Sequence, residues 1–344
     1  MTKIGFLSFG HYADVPGSRV ASAAEMLRQS IDLAVAAEEA GLDGAYFRVH
    51  HFARQAASPI PLLAAVAART SRIEMGTGVI DLRYEVPAML AEQASAVDLI
   101  AGGRLQLGVS RGSPEPALRG WEAFGQYPQG FEDAAGMARR KAVELAGMLS
   151  GAGVATADPE QAHDRAVLVP EEGLLRVEPR SEGLRRRIWW GAGSASTARW
   201  AAEQGFNLQS STLLLDDDGR DFGDLQAAQI DEYRTAWHEA GWGWTPRVSV
   251  SRSIIPIVDD ESDRYFGLRA QAEGRDQVGV LEGVRSRFGR SYIGEPDRLA
   301  EQLRADAAVQ AADTVLVTVP NMLGVDFNAR LFESLHRDLR PALG

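Results

Sequence analysis

The sequence predicts an α/β fold, a TIM (β/α)8 barrel with insertions, and three observations predict it. Strand-like and helix-like patterns alternate along almost all of the 344 residues, as a parallel sheet with crossover helices requires. About eight such pairs can be counted, which suits a closed barrel better than a doubly wound sheet of fewer strands. No linker-like stretch divides the chain, so it reads as one domain over 1–344 with insertions at about 150–185 and 259–290.

The first unit pairs a strand at 4–9 with a helix over 23–40, stopped by Gly41. A strand at 44–49 precedes a helix at 60–70, and a strand at 73–80 precedes one that opens on Pro87, a favoured first-turn residue, and runs to Ile100. The fourth strand spans 105–109. Pro114, Pro116 and Pro128 then delay its helix to about 133–149. Ile188 begins the fifth strand, 206–210 is the sixth and 248–258 the seventh. A helix at 296–308, a strand at 314–319 and a helix at 328–339 complete the series. The insertion at 150–185 has no clean period. The one at 259–290, rich in Arg, Gly and Asp, follows a barrel strand and is expected to be a mobile lid loop over the mouth.

Composition narrows the function. With 36 Lys and Arg against 47 Asp and Glu the net charge is −11, which argues against nucleic acid and anionic membrane as partners. No apolar run approaches the roughly 18 residues of a membrane span, and the N-terminus MTKIGFLSFG reads as a strand rather than a signal peptide, so a cytoplasmic protein is expected. The absence of cysteine removes disulfides, thiolate metal sites and cysteine nucleophiles.

Barrel enzymes place their sites at the C-terminal ends of the strands. The residues there include Ser8 and Phe9, His50 and His51, 78–81, 110–112, 191–197 and the stretch after Val319. In IWWGAGSASTARWAAEQG, 188–205, Ser194 occupies an N-cap position and Thr197 stands where a capping box would have Glu or Gln. No carboxylate sits in that first turn. The helix dipole, the first N–H groups and the hydroxyls of Ser194, Ser196 and Thr197 are therefore expected to be available to an anion, most naturally a phosphate. A cap with no ligand is the other reading. Arg111, in LGVSRGS, ends the fourth strand and would clamp such a phosphate from a second direction; the alternative is an ion pair with Glu115.

His50 and His51 are adjacent at a strand end, so their side chains face opposite ways and are ill placed to share a metal. One inward imidazole could serve as general acid or base, or be a hydrogen-bonded structural residue. Two motif matches are set aside. Residues 108–112, GVSRG, match a nucleophile elbow without the helix it needs, and 191–196, GAGSAS, match a dinucleotide fingerprint without its last glycine. Asp81 and Glu85 are given no paired-carboxylate chemistry.

HHF at 50–52, SPIPLLAAVAARTSRIEMGTGVI at 58–80, AEQASAVDLIAGGRLQLGVSRG at 91–112, SASTARWAAEQG at 194–205 and YIGEPDRLAEQL at 292–303 carry a family resemblance. Over nearly all its length the chain resembles the bacterial luciferase-like, flavin-dependent monooxygenases. The resemblance implies reduced FMN as co-substrate, O2, a small organic substrate, a separate flavin reductase and a homodimer. It implies that Ser194, Thr197 and the backbone at Gly193 hold the flavin phosphate with Arg111, and that His50 is the catalytic histidine. It places Gly78 and Val79 where the family has a non-proline cis bond under the flavin ring. Two departures stand out: Val49 replaces the Glu that precedes the histidine pair in the luciferase branch, and Glu132 falls near a second phosphate-binding Arg, leaving Arg139 or Arg140 as substitutes. Light emission is therefore not implied. The rival readings are a deazaflavin (F420) hydride-transfer oxidoreductase of the same superfamily, a non-catalytic flavin-binding protein, and a serine hydrolase using Ser110.

Overall fold

The structure, a computed structural model, describes residues 2–112, 115–158, 160, 173–215, 218–271, 274–281 and 284–343. Eight parallel strands close a barrel: β1 (Lys3–Ser8), β2 (Gly44–Phe47), β3 (Glu74–Thr77), β4 (Leu105–Ser110), β5 (Ile188–Ala192), β6 (Asn207–Ser210), β7 (Val248–Pro256) and β8 (Thr314–Val319). Each pairs with the next in chain order, and β8 returns to β1, with Lys3 opposite Thr314 and Ser8 opposite Val319. The outer ring includes α1 (Ala23–Glu39), α2 (Pro59–Arg69), α3 (Pro87–Ile100), α4 (Ala134–Leu149), α5 (Ala195–Glu203) and α6 (Phe222–Ala240). It continues through α7 (Asp260–Gln271), α8 (Pro296–Arg304), α9 (Ala307–Ala311) and α10 (Gly324–Ser334).

Side chains of successive strand residues alternate between the barrel interior and the helix layer. Phe6 and Phe47 meet edge to face outside the barrel, and Phe6 stacks on Phe332 of α10. Tyr46 points inward. A Cβ on Gly44 or Gly76 would stand 2.5 and 2.7 Å from its ring, so these two strands carry glycine where the ring crosses them. Nearer the N-terminal end, Glu74 pairs with both guanidinium nitrogens of Arg247 at 3.0 Å and with Lys3, and Trp189 Nε1 donates to Gln106 Oε1 at 2.8 Å. This layer closes the bottom and leaves the opposite mouth open.

Several boundaries differ from the sequence expectations. The third strand is not continuous over 73–80: β3 stops at Thr77 and a two-residue strand, Ile80–Asp81, resumes beside β4. Helix α6 has no counterpart in the sequence reading, because two of its buried positions are Gln226 and Gln229. Both turn inward to serve Ser210 and interrupt an otherwise apolar buried face of Phe222, Leu225, Ile230, Tyr233, Ala236 and Trp237. The helix expected over 296–308 is two, α8 and α9, with Asp306 capping the second.

The insertion at 259–290 is not irregular. It holds α7 and an antiparallel hairpin, Gln277–Leu281 with Val284–Phe288, which pairs with a short strand at Leu213–Leu214. The two strands pair with each other over five residue pairs, and the distant Leu213–Leu214 joins their outer end. The insertion at 150–185 contributes an antiparallel pair, Gly153–Thr156 with Leu174–Arg176; residue 159 and residues 161–172 lie outside the described residues. Among the described residues no helix is long and apolar enough to cross a membrane.

Candidate functional site

At the C-terminal mouth a cavity of about 430 Å³ opens between β1, β2, β4, β5 and β6. Its wall includes Leu7, Phe9, Arg48, Val49, Gly78, Val79, Asp81, Arg83, Ser110, Arg111, Glu115, Gly191, Gly193, Ser194, Thr197 and Leu316, together with 209–213 and Leu215. All six residues expected to hold the cofactor, Gly78, Val79, Arg111, Gly193, Ser194 and Thr197, are brought together here, and the Gly78–Val79 peptide is cis.

Ser194 is the N-cap of α5, as its spacing predicts. Its extended backbone lets Oγ accept from the Thr197 N–H at 3.3 Å, and it lies 2.9 Å from Thr197 Oγ1 and 3.2 Å from Ser196 Oγ. The three hydroxyls thus bond to one another rather than standing unengaged, which corrects the sequence expectation. They form a cluster of rotatable donors at the positive end of the helix, still on the cavity wall.

Arg111 reaches the same wall and has no carboxylate partner among the described residues. The ion pair considered for it, with Glu115, is not formed. Glu115 Oε2 instead lies 3.0 Å from His50 Nδ1, both side chains almost fully buried. On the other side of the imidazole, Arg48 Nη2 is 3.1 Å from His50 Nε2. A guanidinium can only donate, so Nε2 is the accepting nitrogen of this pair, and Nδ1 meets Glu115 by proximity rather than by an aligned hydrogen bond. His50 itself is not on the cavity wall. Its neighbours Arg48 and Glu115 are.

The two histidines diverge as strand geometry requires. His51 stacks on Tyr84 at 3.9 Å and meets Phe124 edge-on, away from His50's partners. Burial pulls its pKa below the usual imidazole range, against the raising influence of Glu115 and Asp81. Asp81 is engaged by Arg83 through two nitrogens, Nε at 3.0 Å and Nη2 at 2.6 Å, so it does not pair with Glu85. Glu132 pairs with Arg140, which also pairs with Glu144, and Arg139 lies over the Trp200 ring at 5.4 Å. Neither Arg139 nor Arg140 is among the residues lining the cavity. Ser110 Oγ accepts from Gly112 N–H at 2.9 Å, and among the described residues no helix begins before Gly120, in keeping with the rejected elbow.

Sequence reading missed Arg48, the role of Glu115, and the polar run Gln209–Thr212 after β6. The signal for Arg48 was strand alternation: it lies two residues beyond Tyr46 and faces the same interior. Burial lowers the Arg48 pKa, with the Glu115 carboxylate pulling it back up.

A second cavity of about 410 Å³ lies among Phe222, Arg252, Asp276, Arg287, Arg290, Tyr292 and Asp306. Its buried groups satisfy one another: Arg252 donates to both Asp306 oxygens at 2.8 and 3.0 Å, and Tyr292 Oη donates to Asp306 at 2.5 Å. The mouth cavity is therefore the better candidate.

The sequence model of the luciferase-like monooxygenases matches residues 4–266. The chain belongs to the luciferase-like monooxygenase family. Protein YwcH of Bacillus subtilis (strain 168) is 30% identical over 335 residues, 88% of this chain and 91% of that one. Two shorter matches cover only part of the proteins concerned. Protein y4vJ of Sinorhizobium fredii is 42% identical over 93 residues, 26% of each chain, and an F420-dependent glucose-6-phosphate dehydrogenase of Nocardia farcinica is 36% identical over 126 residues, 34% of this chain and 36% of that one. Among solved structures, the oxygenating constituent of 3,6-diketocamphane monooxygenase from Pseudomonas putida, in complex with FMN, superimposes with TM-score 0.70 at 18% identity, covering 99% of both chains. That likeness shows the shared luciferase-like barrel.

Proposed function

We propose that this family member is a two-component monooxygenase that binds reduced FMN in the mouth cavity and uses it with O2 to oxygenate a small organic substrate. One observation carries the reading: Arg111, without a carboxylate partner among the described residues, and the hydroxyl-capped start of α5 line one cavity together with Gly78 and Val79. The residues suit a flat, phosphorylated ligand. A Cβ on Gly191 would stand 3.3 Å from both Ser110 Cβ and a Val79 methyl, so a side chain there would crowd the wall between the cap and the Gly78–Val79 peptide. The volume falls in the range of about 300–1,000 Å³ usual for ligand sites.

Ser194, Thr197 and the Gly193 backbone would bind the phosphate at the helix terminus, and Arg111 would neutralise it from the β4 side. When bound, the reduced flavin supplies the electrons with which O2 is consumed. His50 accepts from Arg48 and stands beside Glu115, and it would act on the cavity through these two neighbours. Leu7, Phe9, Val49 and Leu316 keep water from the reacting end. A separate reductase delivering the flavin, and a homodimeric protein, belong to the same reading.

The stretch similar to an F420-dependent dehydrogenase favours a second reading, hydride transfer with reduced F420. Anaerobic titration of the protein with reduced FMN and, separately, reduced F420, followed by protein fluorescence, separates the two. Saturable FMN binding that weakens in Arg111→Ala supports the monooxygenase. Binding of F420 alone replaces it with hydride transfer, and binding of neither overturns the flavin assignment.

A further inference from the structure

Three arginines line the mouth cavity, and they are not equivalent. Arg83 is neutralised by Asp81 through a two-nitrogen contact. Arg111 stands beside the α5 terminus and is assigned above to the cofactor phosphate. Arg48 is the third. Its neighbours are the Phe9 ring, 4.8 Å below its guanidinium carbon, and the acceptor nitrogen of His50. No carboxylate of the described residues forms an ion pair with it; Glu115 stands on the far side of His50 and acts on it from there. A half-buried guanidinium whose contacts among the described residues are a ring and an imidazole, with the Glu115 carboxylate acting on it only from beyond the imidazole, keeps donor directions for a ligand in the cavity.

The barrel places this cation apart from the phosphate site. Arg48 follows β2, Arg111 follows β4 and Ser194 follows β5, so an anion bound between Arg111 and Ser194 lies two to three strands round the mouth from Arg48. Towards β1 and β8 the wall beside Arg48 is apolar, formed by Leu7, Phe9 and Leu316, with Leu7 and Leu316 packed on Tyr46 below, while Glu115 stands on the His50 side. That combination of an apolar floor with one cationic end is what an amphipathic small acid requires.

We propose that the organic substrate is a carboxylate, held by its charged end on Arg48 with its apolar body against Phe9, Leu7 and Leu316. The inference rests on the cavity being the reaction site of the proposed monooxygenase. A guanidinium recognises a carboxylate through a planar two-nitrogen fork, so Arg48 is a specificity-determining residue that selects acids over their neutral isosteres. His50, bonded to the guanidinium from behind and fixed by Glu115, is the positioning residue that aims it.

The test uses the whole protein and calorimetric titration with phenylacetate, benzoate and octanoate, each beside its amide, with and without FMN present. The unmodified protein is expected to bind at least one acid about 10-fold or more tightly than its amide. Arg48→Gln should abolish that preference and Arg48→Lys should keep part of it, while FMN affinity, set by Arg111 and Ser194, changes less than threefold in both. Equal binding of acids and amides by the unmodified protein overturns the proposal without need of any variant. So does an acid preference that survives in Arg48→Gln. A loss of FMN affinity in Arg48→Gln as large as the loss of acid binding would assign Arg48 to the cofactor instead. Failure of FMN to bind the unmodified protein strikes the proposed function and is read separately from the acid series.

Discussion

Ser194 has two duties that a single pair of substitutions separates. Its Oγ accepts from the Thr197 N–H and so caps α5, and it stands where the cofactor phosphate is proposed to dock. Ser194→Ala removes the cap at a cost of about 1 kcal/mol, and it removes a hydroxyl donor to a charged phosphate, an interaction of roughly 1.5–3 kcal/mol. The melting temperature should fall by about 2 °C and affinity for reduced FMN by about 10- to 100-fold. Ser194→Asp keeps the cap, since a carboxylate at that position accepts from the same N–H and suits the positive helix end. It also sets a negative charge about 4 Å from the phosphate, where repulsion at an effective dielectric near 20 is roughly 4 kcal/mol per pair of unit charges. The Asp variant should melt like the unmodified protein and bind FMN about 1,000-fold more weakly. Thermal unfolding and anaerobic fluorescence titration measure both quantities. An Asp variant that binds reduced FMN with undiminished affinity would refute the placement of the phosphate at this helix.

Two further outcomes follow from the packing around the mouth. Burial depresses the His51 pKa, so from about 6.5 down to its lowered value the unfolded chain takes up a proton that the folded one refuses, and stability falls as the pH drops. His51→Phe preserves the stack on Tyr84 and should reduce the loss of urea midpoint between pH 7.5 and 5.5; His11, also lowered mainly by burial, retains part of the slope, and an unchanged slope would contradict this account. Asp98, on α3, is buried and joins three segments: it pairs with Arg187 at 2.5 Å, accepts from Ser181 Oγ at 2.5 Å and from the Leu105 N–H at 3.1 Å. Asp98→Asn leaves the partly exposed Arg187 without its counter-charge and should lower unfolding free energy by about 2–3 kcal/mol, whereas a shift below about 0.5 kcal/mol would show the network to be incidental.

The barrel was legible because its strands and helices follow local rules. Pro87 opens α3 and Ile100 ends it, the strand at Thr314–Val319 is read to the residue, and Ser194 caps α5 as its spacing demands. Elements that depend on distant partners were not legible. Helix α6 buries Gln226 and Gln229 because Ser210 lies opposite, and the paired strands Gln277–Leu281 and Val284–Phe288 are joined to the mouth by Leu213–Leu214. The site divides in the same way. Resemblance and strand-end position gathered Gly78, Val79, Arg111, Gly193, Ser194 and Thr197 onto one wall. The contacts between side chains far apart in sequence, His50 with Glu115 and Ser194 with its neighbouring hydroxyls in place of an unengaged cap, required the folded geometry.

The placement of the cofactor is tested most directly by a crystal structure of the protein soaked with FMN under reducing conditions. The account predicts the phosphate within hydrogen-bonding distance of Ser194 Oγ and the Arg111 guanidinium, the ring system against Gly78 and Val79, and Arg48 clear of the flavin. A flavin phosphate bound instead in the cavity between Arg252 and Arg290, or on Arg48, would contradict it.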